Sequence, residues 1–157
     1  MSPRIESSQA TAPAFRAMSA LQQYVQQSSL EPKLLELVKM RASQINGCGY
    51  CLDMHSQDAR RLGETEQRLY VLPAWREAPF YSPRERAALA WTEAVTLIAQ
   101  TQAPDDVYQE ARSQFSEKEL VELTMAIVAI NGWNRLAISF RSVPGTYKPV
   151  AAPAKLA

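Results

Sequence analysis

Apolar residues return every three or four positions through much of this chain, which is the period of an amphipathic α-helix. A first run extends from Phe15 to Val25. Glu31-Pro32 opens a second run, because proline at the first helical position lacks only an N–H group that would be unpaired anyway. The apolar face of this second run continues to Ile45. The pattern therefore predicts two helices before residue 47.

Asn46-Gly47 is a strong break in this helical pattern. We expect a third helix to begin at about Cys48. It should end at Gly63, because glycine suits the left-handed conformation of a C-terminal cap. A short helix over about 64–71 follows.

Two capping boxes mark the helices of the C-terminal half. Ser82-Pro83-Arg84-Glu85 predicts a helix to about residue 100, and Ser116-Glu117-Lys118-Glu119 predicts one to about residue 140. A shorter helix is expected between them, over about 103–115. Three poor helix formers in the last helix indicate a polar contact or a close packing: Asn131, Gly132 and Asn134.

The segment from Pro73 to Tyr81 is more aromatic than a solvated connection would be, so we expect it to fold back onto the core. Four large aromatic residues could line a substrate mouth or a subunit contact: Trp75, Phe80, Tyr81 and Trp91.

The sequence contains no alternating strand pattern, internal repeat or phosphate-binding glycine loop. A chain of 157 residues can bury roughly two-thirds of its unfolded surface in one core. We therefore predict an all-α fold, a compact multi-helix bundle formed by residues 15–142. A flexible N-terminal arm over 1–14 and a Pro/Ala-rich tail over 143–157 complete the predicted organisation.

Charge and targeting signals exclude several kinds of partner. A formal net charge of +1 creates no long-range field that would recruit nucleic acid or an anionic membrane. Neither a signal-peptide core nor a run of about 18 apolar residues is present, so a cytoplasmic location is expected.

Both cysteines and the only histidine lie between Cys48 and His55. On a helix that begins near Cys48, the spacing places Cys51 and His55 on the same side. The helix dipole and a protonated imidazole would both favour thiolate. Such a pair can pass from thiolate to sulfenic acid to disulfide, which predicts redox chemistry.

Glu36 lies among apolar residues of the preceding helix, where a carboxylate needs a reason to be. It could close a proton relay to the thiols. An ion pair with Lys33 or Arg41 is the competing interpretation.

Two other interpretations of the cysteine segment stay open. Cys48, Cys51 and His55 could bind zinc, with Asp53 or Glu36 as the fourth ligand. Alternatively, both cysteines are small buried hydrophobic residues and the histidine is a hydrogen-bonded core residue.

Glu36, the segment Cys48-Gly49-Tyr50-Cys51 and then His55 resemble the signature of the carboxymuconolactone decarboxylase and alkylhydroperoxidase-D-like (AhpD-like) superfamily, Glu-x11-Cys-x-x-Cys-x3-His. The later segments Ala74-Trp75-Arg76-Glu77 and 82–93 are similar as well. The resemblance covers roughly Phe15 to Arg141.

The resemblance implies a helical homo-oligomer, a trimer or hexamer, that reduces hydroperoxides without metal or cofactor. Cys51 would be the peroxidatic cysteine and Cys48 the resolving one, with His55 and Glu36 in the proton relay. A dithiol protein or small thiol would be the reductant. The family's hydroperoxidases carry a histidine where this chain has Tyr50, and a neutral phenol relays protons less readily.

Two other functions remain possible at this point. The first is a lyase acting on a small lactone, with Glu36 and His55 as acid and base. The second is a redox-sensing helical oligomer without turnover.

Overall fold

A computed structural model describes residues 2–5 and 11–149 of the chain. The described residues contain helices and no strand, in agreement with the predicted all-α class. The α-helices are α1 (Ala12–Gln26), α2 (Pro32–Asn46), α3 (Gly49–Arg61), α4 (Glu66–Val71), α5 (Pro83–Thr96), α6 (Ile98–Thr101), α7 (Asp105–Gln114) and α8 (Glu117–Phe140). A single 3-10 turn, Leu72–Ala74, follows α4.

Helix α2 occupies the centre of the bundle and packs against α3, α5 and α8. Its residues Leu37 and Val38 are completely buried. Helix α1 lies along α8 on one side, and α7 packs against α5 on the other. Because α2 and α3 are consecutive and in contact, side chains from both helices can share one interior site.

Local sequence signals explain most of the helix ends. Both predicted capping boxes are present, at Ser82 and at Ser116, and each pairs hydroxyl and carboxylate with backbone N–H groups. Gly63 has a φ of 86°, and the Gly63 and Glu64 amides donate to the carbonyls of Arg60 and Ala59. This arrangement is a Schellman motif, as the glycine predicted.

Two predicted boundaries were wrong. Helix α1 begins at Ala12, before the expected Phe15, since Pro13 stands in its first turn, where proline is tolerated. The helix expected to run from Ser82 to residue 100 breaks at Leu97. The hydroxyl of Thr101 donates to the carbonyl of Ala94 at 2.6 Å and stabilises the break.

The aromatic loop folds back onto the core, as predicted. Trp75 is buried, and its indole N–H donates to Glu93 Oε1 at 2.8 Å. The Tyr81 hydroxyl donates to the carbonyl of Arg68 at 2.5 Å. Trp91 is also buried, whereas Phe80 is exposed.

The predicted arms are described only in part. Residue 1, residues 6–10 and residues 150–157 lie outside the described residues. Within the predicted C-terminal tail, residues up to 149 are described and contain no helix. We call residues 142–148 the strap, because they leave the end of α8 and contact α3. Among the described residues, no helix has the length and apolarity needed to cross a membrane.

Candidate functional site

The turn between α2 and α3 brings Cys48 to a helix N-terminus. Gly47 ends α2 with a φ of 69°, a left-handed conformation that glycine adopts without a Cβ penalty. Cys48 then occupies the N-cap of α3, and its sulfur accepts the N–H of Cys51 at 3.4 Å. The amide of Cys48 donates to the carbonyl of Ser43 at 3.0 Å. Consequently the end of one helix fixes the first turn of the next.

Cys48 and Cys51 form a disulfide, with their Cα atoms 5.4 Å apart. Each residue is only 1% exposed. The pair packs with Ala42 and Ile130 in a small apolar cluster. The two sulfurs therefore meet one another inside the protein and can exchange thiol and disulfide states.

The predicted partner residues come together with this pair. Cys51 and His55 lie one turn apart on the inner side of α3, and both are buried. His55 Nδ1 lies 2.8 Å from Glu36 Oε2. The structure thus brings Glu36 of α2 and His55 of α3 into direct contact, one helical turn after Cys51.

Glu36 also forms an ion pair, but with a different partner from either that the sequence suggested. Lys39 Nζ lies 2.7 Å from Glu36 Oε1, and both side chains are almost fully buried. Lys33 and Lys39 are both three residues from Glu36, so helical spacing permits either pair, and the other contacts of Lys33 and Arg41 decide between them. Lys33 instead donates to the carbonyl of Gly63, and Arg41 pairs with Glu93.

Burial and contacts act in opposite directions on the Glu36 carboxyl. Burial raises its pKa, but the hydrogen bond from His55 and the charge of Lys39 outweigh this effect and hold the pKa below its usual value. Glu36 is therefore an anion at neutral pH. An anion in contact with an imidazole can hold the ring in one orientation.

Sequence reasoning missed two residues beside this pair. A carboxylate oxygen of Asp58 lies within 4.8 Å of both a Glu36 oxygen and a His55 ring nitrogen. Asp58 continues the stripe of Cys51 and His55 at helical spacing, so this spacing could have revealed it. The hydroxyl of Tyr147 contacts both Asp58 oxygens, at 3.0 and 2.9 Å. No local signal places a residue of the tail there.

Donors of the kinds that bind transition metals are present in this cluster, from Glu36, His55 and Asp58. This set differs from the zinc set that the sequence suggested, since Cys48 and Cys51 are bonded to each other. Moreover, the ammonium group of Lys39 occupies one oxygen of Glu36. The positive charge of that ammonium group opposes a second cation at the same carboxylate.

A buried polar network supports the turn from the side of α8. The Asn46 amide donates to the side-chain oxygens of Asn131 and Asn134, both at 2.9 Å. Asn134 in turn donates to the Ser43 hydroxyl at 3.0 Å. Gly132 lies between them, and a Cβ there would meet Met18 Cε at 2.8 Å. The polar contact and the close packing predicted for this stretch are both confirmed.

A cleft of about 190 Å³ reaches the disulfide from outside. Cys48 lines it and Cys51 does not. Tyr50 and Pro144 also line the cleft, together with Arg141 at the end of α8. A molecule in this cleft would therefore lie beside Cys48 and not beside Cys51.

The sequence profile of the carboxymuconolactone decarboxylase family matches residues 12–94, which include the cysteine pair, Glu36 and His55. The chain belongs to this family. The family resemblance seen in the signature residues is thereby confirmed.

Two relatives of this carboxymuconolactone decarboxylase family protein share nearly its whole length. The uncharacterized protein YdfG of Bacillus subtilis is 44% identical over 139 residues, which are 88% of this chain and 95% of that protein. A solved structure from Agrobacterium tumefaciens is 47% identical and has a TM-score of 0.89, covering 93% of this chain and 100% of that one. It belongs to a protein of unknown function that has been suggested to be the antioxidant defence protein AhpD.

An uncharacterized peroxidase-related protein from Silicibacter sp. TM1040 has a TM-score of 0.75 at 24% identity, covering 86% of this chain and 72% of that one. At this identity the similarity shows the fold alone. The predicted AhpD-like fold is confirmed by these structures together. This family member therefore combines an AhpD-like helical bundle with a Cys-x-x-Cys pair at the N-terminus of α3.

Proposed function

We propose that this protein is a thiol-dependent peroxidase that reduces hydroperoxides through the Cys48–Cys51 pair. The observation that carries the proposal is the placement of a redox-capable pair one helical turn from a buried carboxylate–imidazole pair. The thiols supply the electrons, and Glu36 with His55 moves the protons. We place this reaction in the cytoplasm, where dithiols are kept reduced.

The reaction balances with a hydroperoxide and a dithiol. The Cys51 thiolate attacks the terminal peroxide oxygen, the O–O bond breaks, and the alcohol leaves with a proton that His55 supplies. Cys51 is then a sulfenic acid. The Cys48 thiol gives its proton to His55 and displaces the hydroxyl, which takes that proton and leaves as water, so the disulfide forms. A dithiol reductant restores both thiols by exchange and leaves as its own disulfide.

The two cysteines have different surroundings, and these support different roles. Cys51 is one turn from His55, so we assign it to the attack on peroxide. Cys48 lines the cleft, so we assign it to resolution and to exchange with the reductant. Tyr50 lines the same cleft, and we give it no part in the relay.

Single replacements test this assignment. Cys51→Ser should abolish catalytic peroxide consumption with a dithiol reductant, because a serine hydroxyl cannot be oxidised by peroxide as a thiolate can. Cys48→Ser should consume about one equivalent and accumulate sulfenic acid, which a dimedone label detects by mass spectrometry. Full peroxide consumption by Cys51→Ser would refute the proposed function.

A lyase acting on a small lactone is the second candidate function. It is favoured by the contact between Glu36 and His55, which could act as acid and base without the cysteines. It predicts that Cys48→Ser/Cys51→Ser retains activity and that Glu36→Gln loses it. A redox sensor without turnover predicts disulfide formation with stoichiometric loss of peroxide only.

We also propose that the protein is a homo-oligomer, as its family resemblance implies. The outer side of α8 exposes Val121 and Val128, at 58% and 46%. Large apolar side chains on one helix face are typical of subunit contacts. Light scattering should show a trimer or hexamer, and Val128→Glu should shift it towards monomer. A monomeric wild-type protein would contradict this proposal.

A further inference from the structure

We propose that Tyr147 and Asp58 form a positioning pair for the proton relay. The strap, which carries Tyr147, is then part of the thiol site. This inference rests on the proposed function, because it concerns the groups that move protons for the thiols.

The pair stands directly beside the relay. The Tyr147 hydroxyl contacts both oxygens of Asp58, and an Asp58 oxygen lies within 4.8 Å of both Glu36 and His55. Asp58 follows Cys51 and His55 on the inner stripe of α3, at spacings of four and three residues. Its charge therefore acts on the relay at short range.

The strap holds Tyr147 in place through further contacts with α3. The amide of Gly145 donates to Asp53 Oδ2 at 2.8 Å. Pro144 Cγ lies 3.5 Å from the position of a Cβ at Gly49. The strap thus follows α3 from its first turn to Asp58, and Tyr147 reaches Asp58 from a fixed backbone.

The hydroxyl of Tyr147 serves as a donor throughout the neutral range. Burial and the hydrogen bond to the Asp58 carboxylate raise the pKa of Tyr147 to about 12. A neutral hydroxyl bonded to both oxygens restricts the rotation of the Asp58 carboxyl. Tyr147 acts through Asp58 and is a positioning residue.

The charges around His55 come from three parts of the chain. Helix α2 contributes Glu36 and Lys39, whereas α3 contributes Asp58 and Arg61, whose guanidinium lies 3.6 Å from Asp58. The strap contributes the neutral hydroxyl of Tyr147, and its one charged residue, Lys148, is exposed. A negative charge in this set raises the pH at which neighbouring groups lose their protons. Asp58 should therefore keep the thiols of the reduced protein protonated to higher pH than they would be without it.

Thiolate titration of the reduced protein tests the pair without using any peroxide. The ultraviolet absorbance of thiolate is followed against pH, with Cys48→Ser/Cys51→Ser as the baseline. Asp58→Asn should lower the midpoint by a few tenths of a pH unit, because it removes a negative charge about two helical turns from Cys51. Tyr147→Phe should shift it in the same direction by less, because a freed Asp58 turns towards solvent, which screens its charge.

The chain offers a matched control in Tyr70, whose hydroxyl bonds to Glu66 at 2.9 Å on the exposed side of α4. Tyr70→Phe should leave the midpoint unchanged. In the Asp58→Asn background, Tyr147→Phe should cause no further shift, since its effect passes through Asp58.

Three results would each overturn the inference. The Tyr147→Phe midpoint could equal that of Tyr70→Phe, it could move to higher pH, or the shifts of Asp58→Asn and Tyr147→Phe could add in the double variant. Thermal unfolding of each variant shows whether it is folded. If Asp58→Asn does not fold, the comparison of the Tyr147→Phe midpoint with that of Tyr70→Phe tests the inference by itself. A wild-type protein that consumes no peroxide would refute the proposed function and leave this titration valid.

Discussion

His55 Nδ1 lies 2.8 Å from Glu36 Oε2, across the contact between α3 and α2. The two residues are nineteen positions apart, and the Gly47 turn brings them together. Both are only 7% exposed. A carboxylate and an imidazole buried together need one another as hydrogen-bond partners, so the proposed chemistry and the helix packing depend on the same contact.

Replacing this carboxylate should slow thiol oxidation. Glu36→Gln keeps the size of the side chain but cannot stabilise an imidazolium ion. We expect the peroxide-dependent rate of disulfide formation to fall by about 100-fold or more, which is typical for the loss of acid–base assistance. Stopped-flow tryptophan fluorescence of the reduced protein measures this rate.

Glu122→Gln is the control for this experiment. Glu122 is also buried, but it accepts hydrogen bonds from the amide and hydroxyl of Ser29, away from the thiols. The rate of disulfide formation in the Glu122→Gln variant should match that of wild type. Equal slowing of both variants would show that the loss comes from general destabilisation.

The asparagine network should contribute strongly to stability. Asn134 is fully buried, and Asn134→Ala leaves the buried Ser43 hydroxyl and the partly buried Asn46 amide each without one hydrogen-bond partner. We expect the free energy of unfolding to fall by about 3 kcal/mol, from lost hydrogen bonds and a small cavity. Urea denaturation measures it. Gln109→Ala, at an exposed position of α7, should change it by less than about 0.5 kcal/mol.

Stability at acid pH should depend on the capping box of α8. A hydrogen bond from the Ser116 amide and another from Arg84 lower the pKa of Glu119 to about 2. A lowered pKa in the folded state stabilises the protein above pH 4.5, the ordinary value, and this stabilisation disappears as the pH falls towards 2. The gap in unfolding free energy between wild type and Glu119→Gln should therefore close over that range.

Urea denaturation at several pH values measures this gap. Glu117→Gln, whose side chain is 89% exposed on the same helical turn, is the control and should give a small and constant difference. A gap for Glu119→Gln that stays constant from pH 4.5 to 2 would contradict the assignment.

Gly132→Ala should stabilise the protein. Alanine is favoured over glycine inside a helix by about 1 kcal/mol. The new Cβ would meet Met18 Cε, the flexible end of a side chain, which can move aside. Gly132→Leu should instead destabilise, because the larger side chain forces α1 away from α8. Thermal unfolding of the two variants compares them, and a lower melting temperature for Gly132→Ala would show that Met18 cannot move.

The sequence predicts those parts of the fold that depend on local chemistry. The serines of the two capping boxes and the glycines after α2 and α3 act through their own turns, so their effects can be read from neighbouring residues. The break at Leu97 was not predicted, because it depends on a hydroxyl four residues later that bonds backward to Ala94.

The site shows the same division. The positions of Cys51 and His55 on one side of α3 follow from helical spacing. The choice of Lys39 over Lys33 and Arg41 for Glu36 depends on which other carboxylates and carbonyls lie within reach, and this requires the packed structure. Tyr147 reaches Asp58 from 89 residues away, and no periodic pattern encodes such a contact.

Helix α3 begins with a sulfur atom where most helices have an oxygen as cap. Unlike a serine hydroxyl, this sulfur gains a negative charge when the reduced pair ionises, and a charged acceptor binds an N–H group more strongly than a neutral one. The amide of Cys51 should therefore exchange its hydrogen more slowly in the thiolate form than in the disulfide form. The first turn of α3 would thus report the oxidation state of the protein through a single backbone amide.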